Sequence, residues 1–142
     1  MHDMKKIIYL LFAAFMLTAA AGCRRASHNG SIDGNWRLVQ VEILSTGEII
    51  EVDPENEYFI AINLELMQLR GRGITTNPFC TGIMDYDRDA GRLAVDFPNK
   101  PPMKQLAEFG IFENPVVFQV EEASHKALVL RTPQSLITCR RF

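Results

Sequence analysis

The sequence contains few of the side chains that enzymes use for catalysis. It has three histidines, and only His125 lies outside the N-terminal region. One histidine does not supply a zinc site or a Ser-His-Asp triad. The adjacent carboxylates Glu121 and Glu122 would point to opposite faces of a strand, and no glycine-rich phosphate-binding loop occurs. We therefore expect a protein that is not an enzyme and that carries no cofactor.

A strong net charge is also absent. The chain has 15 basic and 17 acidic side chains. Removal of an N-terminal segment that ends at residue 22 would take away Lys5, Lys6 and Asp3 and leave 13 basic and 16 acidic side chains, a net charge of −3. No basic surface is implied, so we expect no nucleic-acid partner.

The sequence has no apolar run of the length that a permanent membrane helix needs, which is about 20 residues. Residues 7–21 form a shorter run after Lys5 and Lys6, which is typical of a signal peptide over residues 1–22. The run leads to Cys23 through alanines and a glycine, and this junction resembles the lipobox of bacterial lipoproteins. The resemblance implies lipid on Cys23 and attachment to a membrane. An ordinary signal peptide with an incidental cysteine is the alternative.

Residues 23–33 are mostly polar and lack apolar periodicity, so they predict a flexible tether. Arg24 and Arg25 follow the cysteine, where aspartate favours the inner membrane and acidic clusters favour surface export in lipoprotein families. By that resemblance we expect anchoring in the outer membrane, facing the periplasm. Residues 34–142 would form one folded domain.

Cysteine is scarce: apart from Cys23, only Cys80 and Cys139 occur. In an oxidising compartment these two can pair, and a bridge that closes so long a loop contributes about 3–4 kcal/mol. A Cys80–Cys139 disulfide is therefore our hypothesis. Two reduced, buried thiols are the alternative.

Short strand-like segments follow one another from residue 34 onward. Turn signals separate them at intervals of about 8–12 residues, which is typical of a sandwich or barrel. We predict a mainly β fold, an antiparallel barrel of about 8–9 strands, because closure removes exposed edges. The predicted helix covers 103–109, with Gly110 as its C-cap. The predicted strands are 35–43, 48–52, 58–63, 66–74, 79–87, 92–97, 116–121, 127–131 and 135–141.

The start of the domain, Gly34-Asn35-Trp36, resembles the Gly-x-Trp opening of lipocalins and lipocalin-like bacterial lipoproteins. The closing strand with its basic end is similar too. The resemblance implies a lipocalin-like barrel in which Trp36 lies across one end, under a cation from Arg140 or Arg141. The order of segments in 71–97 and 103–110 also resembles the META family of heat-shock lipoproteins.

Four aspartates have the spacing of an EF-hand calcium loop: Asp85, Asp87, Asp89 and Asp96. Ala90 stands where that loop needs glycine, and the flanking segments predict strands. We therefore expect no metal site and interpret the aspartates as a solvated hairpin tip around 89–91. Calcium binding is the alternative.

The apolar residues leave two functions open. They fit a pocket wall or a packed core, and the sequence does not separate the two. We favour a non-enzymatic barrel that binds a small apolar ligand. The alternative is a protein-interaction module, such as an inhibitor or accessory subunit of an envelope complex. The candidate core or pocket residues are Phe59, Ile60, Ile62, Leu64, Leu66, Phe97, Phe109, Phe112, Phe118, Leu128 and Leu130. The segment from Leu64 to Leu69 also fits one face of a helix.

Overall fold

The computed structural model describes residues 2–22, 28–71 and 79–142. Their strands form one antiparallel sheet. The helices are α1 (His2–Gly22) and α2 (Met103–Ala107), and 3-10 turns cover Gly30–Ile32 and Pro54–Asn56. The strands are β1 (Gly34–Ile43), β2 (Glu48–Glu51), β3 (Phe59–Asn63), β4 (Leu66–Arg70), β5 (Phe79–Asp87), β6 (Arg92–Asp96), β7 (Val116–Ala123), β8 (Ala127–Arg131) and β9 (Ser135–Arg141).

The long strand β1 closes the sheet into a barrel. One edge of β1 pairs with β9, from Trp36 opposite Arg141 to Ile43 opposite Ser135. On its other edge, the first half of β1 pairs with β3 and the second half pairs with β2. Eight strands, β1 and β3 to β9, therefore form the ring, and β2 is an additional strand beside it. The predicted antiparallel barrel is confirmed.

Alternate residues of each strand point into the barrel, as a pleated strand requires. On β6 and just beyond it, Leu93, Val95 and Phe97 are buried, whereas Asp96 is exposed. On β8, Leu128 and Leu130 are fully buried. Gly91 has a positive φ of 65°, which closes the predicted hairpin turn at 89–91.

Two predicted elements end more than one residue earlier in the structure. α2 ends at Ala107, because the chain turns there and both Phe109 N and Ile111 N donate to Leu106 O. Gly110 has a φ of 79° in this turn, which favours glycine. β4 ends at Arg70, and residues 72–74 of the predicted strand lie outside the described residues.

Some of the residues proposed for the core are exposed. Leu64 is in the turn between β3 and β4 with a φ of 54°, and the alternative of a helix over this segment is wrong. Leu66 and Phe112 are also solvent-exposed. Phe59 points outward and meets Phe142 edge-to-face, with ring centroids 4.9 Å apart. The pleat explains Leu66 and Phe59, because β4 and β3 bury only alternate positions, whereas Leu64 and Phe112 lie in connections outside the strands.

The folded domain begins before residue 34, which shortens the expected tether. Ile32 is completely buried, and Asn29 is buried beside it. Asn29 N donates to Asp33 Oδ2 at 2.9 Å, and Asn29 Nδ2 donates to Asp33 Oδ1 and to Leu64 O. These bonds fix 29–33 to the turn between β3 and β4.

The N-terminal segment is helical over α1, and the side chains of residues 3–15 are exposed. Within the described part of the chain, no helix combines the length and the apolar character that crossing a membrane requires. Cys23, Arg24 and Arg25 lie outside the described residues.

Candidate functional site

One end of the barrel, here called the tryptophan end, is closed by Trp36, Arg141 and the 3-10 turn Gly30–Ile32. Trp36 is fully buried, and its Nε1 donates to Ile32 O at 2.8 Å. The guanidinium carbon of Arg141 lies 4.3 Å from the centroid of the indole ring, within the range of a cation–π interaction. Of the two arginines that the resemblance offered, Arg141 covers the ring. Arg140 is the next residue on the strand and points outward.

Arg141 also joins three chain segments at this end. Its Nε donates to His125 O in the turn between β7 and β8, and its two terminal nitrogens donate to Asp33 O and Ser31 O. These bonds are 3.1–3.2 Å long. Gly34 leaves room for the guanidinium, because a Cβ there would lie 2.6 Å from Arg141 Nη1. Arg141 therefore closes the tryptophan end and holds these segments together by hydrogen bonds.

The opposite end, here called the helix end, is covered by α2 and the turn that follows it. Leu106, Phe109 and Ile111 point into the barrel and are buried. A Cβ on Gly110 would lie 2.8 Å from Val41 Cγ1, so this backbone packs directly on the inner wall. Ser135 Oγ donates to Gly110 O at 2.5 Å and ties the turn to β9.

Between these two ends, side chains fill the barrel. The largest fully buried ones include Trp36, Phe97 and Phe118. Gly82 makes room for one of these rings, because a Cβ there would lie 2.9 Å from Phe97 Cε1 and 2.5 Å from Val95 Cγ1. Three clefts that the described residues form are open to solvent.

One of these clefts is apolar and borders the helix end. It has a volume of about 490 Å³ and is here called the rim cleft. Leu44 N donates to Gln134 O at 2.9 Å, which joins the two turns that form its floor. Its volume falls in the range of small-ligand sites, about 300–1,000 Å³, and such sites are mainly apolar with a few polar groups. The lining residues are Ile43, Leu44, Ser45, Phe112, Pro133 and Gln134.

A polar pair occupies the other side of the helix end. Tyr58 Oη donates to Glu108 Oε2 at 3.4 Å, and the Tyr58 ring meets Phe109 edge-to-face at 5.3 Å. Burial raises the pKa of Tyr58 above its ordinary value of 10.0, and the charge of Glu108 and this hydrogen bond raise it further. Tyr58 therefore stays neutral at physiological pH, and it links β3 to the end of α2.

The structure does not form the predicted disulfide. Both Cys80 and Cys139 are free thiols. They lie on β5 and β9, which are four strands apart in either direction around the ring and therefore opposite each other. A disulfide needs Cα atoms within about 7 Å, which opposite walls do not allow. Burial raises the pKa of Cys80 to about 11 and that of Cys139 to about 12.

The structure does not bring the four aspartates of the calcium alternative together, and its described residues contain no group of three acidic, histidine or cysteine side chains able to hold a metal. Asp85 and Asp87 follow one another along the outer face of β5. Asp87 Oδ1 accepts a hydrogen bond from Ala90 N, and Asp96 is opposite Ile83, farther along the hairpin. An EF-hand loop curls its oxygens around one point, whereas this extended hairpin spreads them out.

Sequence reasoning missed two features of these ends. The rim cleft combines two turns with Phe112 from the connection after α2, so no single segment of sequence signals it. Burial of Ile32 was indicated by the sequence, because Ile32 is the one large apolar residue in the polar stretch 24–33.

Comparison with known proteins agrees with this architecture. The model of the lipocalin-like domain family matches residues 15–142. The crystal structure of a lipocalin-like protein from Bacteroides uniformis is similar, with a TM-score of 0.63, 20% identity, and coverage of 80% of this chain and 100% of that chain. An uncharacterized protein from Bacteroides eggerthii gives a TM-score of 0.58 and 15% identity over 78% of this chain and 98% of its own. No curated protein matches the chain.

Proposed function

Because this chain belongs to the lipocalin-like domain family, we propose that it is a lipid-anchored envelope protein that binds one small apolar ligand in the rim cleft. The observation that carries this proposal is the apolar rim cleft beside the helix end of a barrel whose inward-facing side chains are buried. A ligand in the cleft would contact Phe112, Leu44 and Pro133. No reaction is part of the proposal, because binding requires only apolar contact and a few polar groups for orientation.

Ligand binding is tested with a fluorescent apolar dye and its displacement by fatty acids of increasing length. Phe112→Ser removes the largest exposed ring of the cleft, and we expect the dye to bind about tenfold more weakly, a loss of about 1.4 kcal/mol. Val117→Ser is the matched control, since Val117 is exposed to 39% and Phe112 to 37%, and Val117 does not line the cleft.

Equal weakening in both variants, or no dye binding by the native protein, would overturn the rim cleft as the site. Native mass spectrometry of protein purified from its own host supplies a second measurement. We expect a co-purifying molecule that is lost in Phe112→Ser. A native protein that never carries one counts against the ligand proposal.

The anchoring part of the proposal rests on the resemblance of residues 19–23 to a lipobox. Cells that express the native chain or Cys23→Ala are grown with radiolabelled palmitate. We expect label on the native protein alone, and label on the variant would refute lipidation at Cys23. Membrane separation then checks the outer-membrane location, which we propose from Arg24 and Arg25.

Binding of an envelope protein is the second candidate, and a specific surface favours it. Leu66 on β4 and Ile83 on β5 are cross-strand neighbours on the outside of the barrel, and both are exposed, as is nearby Leu64. A contiguous exposed apolar patch marks an interaction surface. A photo-crosslinking residue at position 83 is expected to capture one discrete envelope protein, whereas one at position 117 captures none. Identical patterns at both positions would reject this candidate.

A further inference from the structure

The outer wall of the barrel carries three arginines in one row across four neighbouring strands. Arg140 on β9 is opposite Arg37 on β1, Arg37 is opposite Phe59 on β3, and Phe59 is opposite Arg70 on β4. Residues that are paired in register point to the same side of a sheet, which here is the outer face. Neighbouring strands are about 4.8 Å apart, so these four residues, here called the arginine row, span about 14 Å.

The arginine row concentrates positive charge that the sheet itself does not favour. Like charges directly opposite each other on paired strands are destabilising, and Arg37 and Arg140 are such a pair. The backbone of Arg140 is paired with Arg37 and Ala127, but its guanidinium makes no hydrogen bond or ion pair with any residue that the structure describes. Next to it, a cleft of about 570 Å³ is lined by Lys126, His125 and Arg141 and by no acidic side chain of the described residues. A bound anion would relieve this repulsion.

The two other guanidinium groups are oriented by neighbouring oxygens. Arg37 Nη2 donates to Pro54 O, and Arg70 Nη2 donates to Gln68 Oε1 at 2.8 Å. Each guanidinium has five N–H donors, so these bonds leave others for a ligand. Glu57 lines a second cleft together with Arg37 and Arg70 and offsets part of their charge.

An aromatic surface stands between these arginines. Phe59 and Phe142 meet edge-to-face with ring planes at 70°. Together with Asn35, Arg37, Glu57 and Arg70 they line a cleft of about 290 Å³. The cleft therefore offers an apolar ring face, an amide and two guanidinium groups within one small volume.

We propose that the arginine row binds an anionic glycan, a sugar chain that carries carboxylate, sulfate or phosphate groups. One sugar ring packs on Phe59 and Phe142, and its anionic groups pair with Arg37 and Arg70, since guanidinium binds such oxyanions in a bidentate manner. The chain continues along the row towards Arg140 and Lys126.

Calorimetric titration tests the proposal with four probes: a sulfated heparin hexasaccharide, a galacturonate hexasaccharide, neutral maltohexaose and sodium sulfate. We expect binding of the two anionic sugars, and at least tenfold weaker binding in Arg70→Gln and Arg37→Gln. Arg92→Gln is the matched control, because it removes the same charge from the exposed start of β6 and should leave the affinity unchanged. Phe59→Leu is expected to weaken sugar binding and to leave any binding of sulfate alone unaltered.

Several outcomes would overturn the proposal. Equal weakening by Arg92→Gln would show general charge attraction, and equal affinity for maltohexaose would show stacking without charge recognition. If sodium sulfate binds as tightly as the hexasaccharides, the arginine row is a site for small anions and does not recognise a glycan. A single-stranded oligonucleotide that binds more tightly would replace the glycan as the ligand class. If Arg37→Gln unfolds, as circular dichroism would reveal, the exposed Arg70→Gln decides the question.

Discussion

At the scale of single residues, Arg140 and Arg141 show how a strand gives two identical neighbours opposite roles. Arg141 stacks on Trp36 and donates to backbone carbonyls of two other segments, whereas Arg140 faces solvent on the outer wall. Sequence could place an arginine over the indole by resemblance. It could not choose between the two, because the choice depends on which residue of β9 is paired with Trp36.

We predict that Arg141→Met lowers the free energy of unfolding by about 2–3 kcal/mol, because it removes a cation–π contact and several charged hydrogen bonds. Arg140→Met serves as the control and should change stability by no more than about 0.5 kcal/mol. Urea unfolding of the three proteins measures both effects. Comparable losses in the two variants would contradict the assigned role of Arg141.

The buried thiol of Cys139 makes stability depend on alkaline pH. Burial raises its pKa from 9.0 to about 12, so the folded state holds a proton that the unfolded state loses. Stability from this group is therefore complete below pH 9 and falls as pH rises from 9 towards 12. Between pH 7.5 and 10.5 we expect a loss of about 2 kcal/mol from this group in reducing buffer. Urea unfolding at both values should show a smaller loss in Cys139→Ala, and an equal loss would refute the assignment.

At the scale of elements, the turn after α2 holds the helix end in place. Gly110 has a positive φ and no room for a side chain, because Val41 and Ile137 press against it. Gly47, between β1 and β2, has a similar φ of 72° but nothing within 4 Å of its missing Cβ. The two glycines separate the cost of backbone strain from the cost of a steric clash.

Gly110→Ala is therefore expected to lower the free energy of unfolding by about 2–4 kcal/mol, since strain and overpacking combine. Gly47→Ala should cost only about 1 kcal/mol, the strain alone. Thermal or urea unfolding gives the comparison. Equal losses of unfolding free energy in the two variants would mean that the turn after α2 adjusts to a side chain and is not tightly packed against the barrel.

The elements that sequence predicts well are those with a local signal. Alternation locates Leu93 and Val95 inside β6, and the glycine at 91 marks the hairpin before it. Contacts between distant segments carry no such signal. The register that aligns Arg37 with Phe59, and the ring that places Cys80 opposite Cys139, arise only when the sheet closes.

At the scale of the whole molecule, both ends of the barrel are anchored to one continuous core. The core extends from Trp36 and Ile32 at one end to Leu106 and Ile111 at the other. A small domain with one such core unfolds as a unit. Neither end should open independently in denaturant.

Trp36 is the only tryptophan and reports directly on the tryptophan end. We predict that its fluorescence and the far-ultraviolet circular dichroism follow the same urea transition, with equal midpoints and slopes. In Gly110→Ala both curves should move together to lower urea. A fluorescence transition that occurs separately from the dichroism transition would show that the tryptophan end melts on its own.

The pairing of β1 with β9 also determines when the barrel can close during folding. The two strands are separated by about a hundred residues of chain, and loops of that size close slowly. During synthesis β1 leaves the ribosome long before β9 has been made. The closed ring therefore cannot form on the growing chain. The barrel remains open until residues 135–141 have been made and can pair with β1.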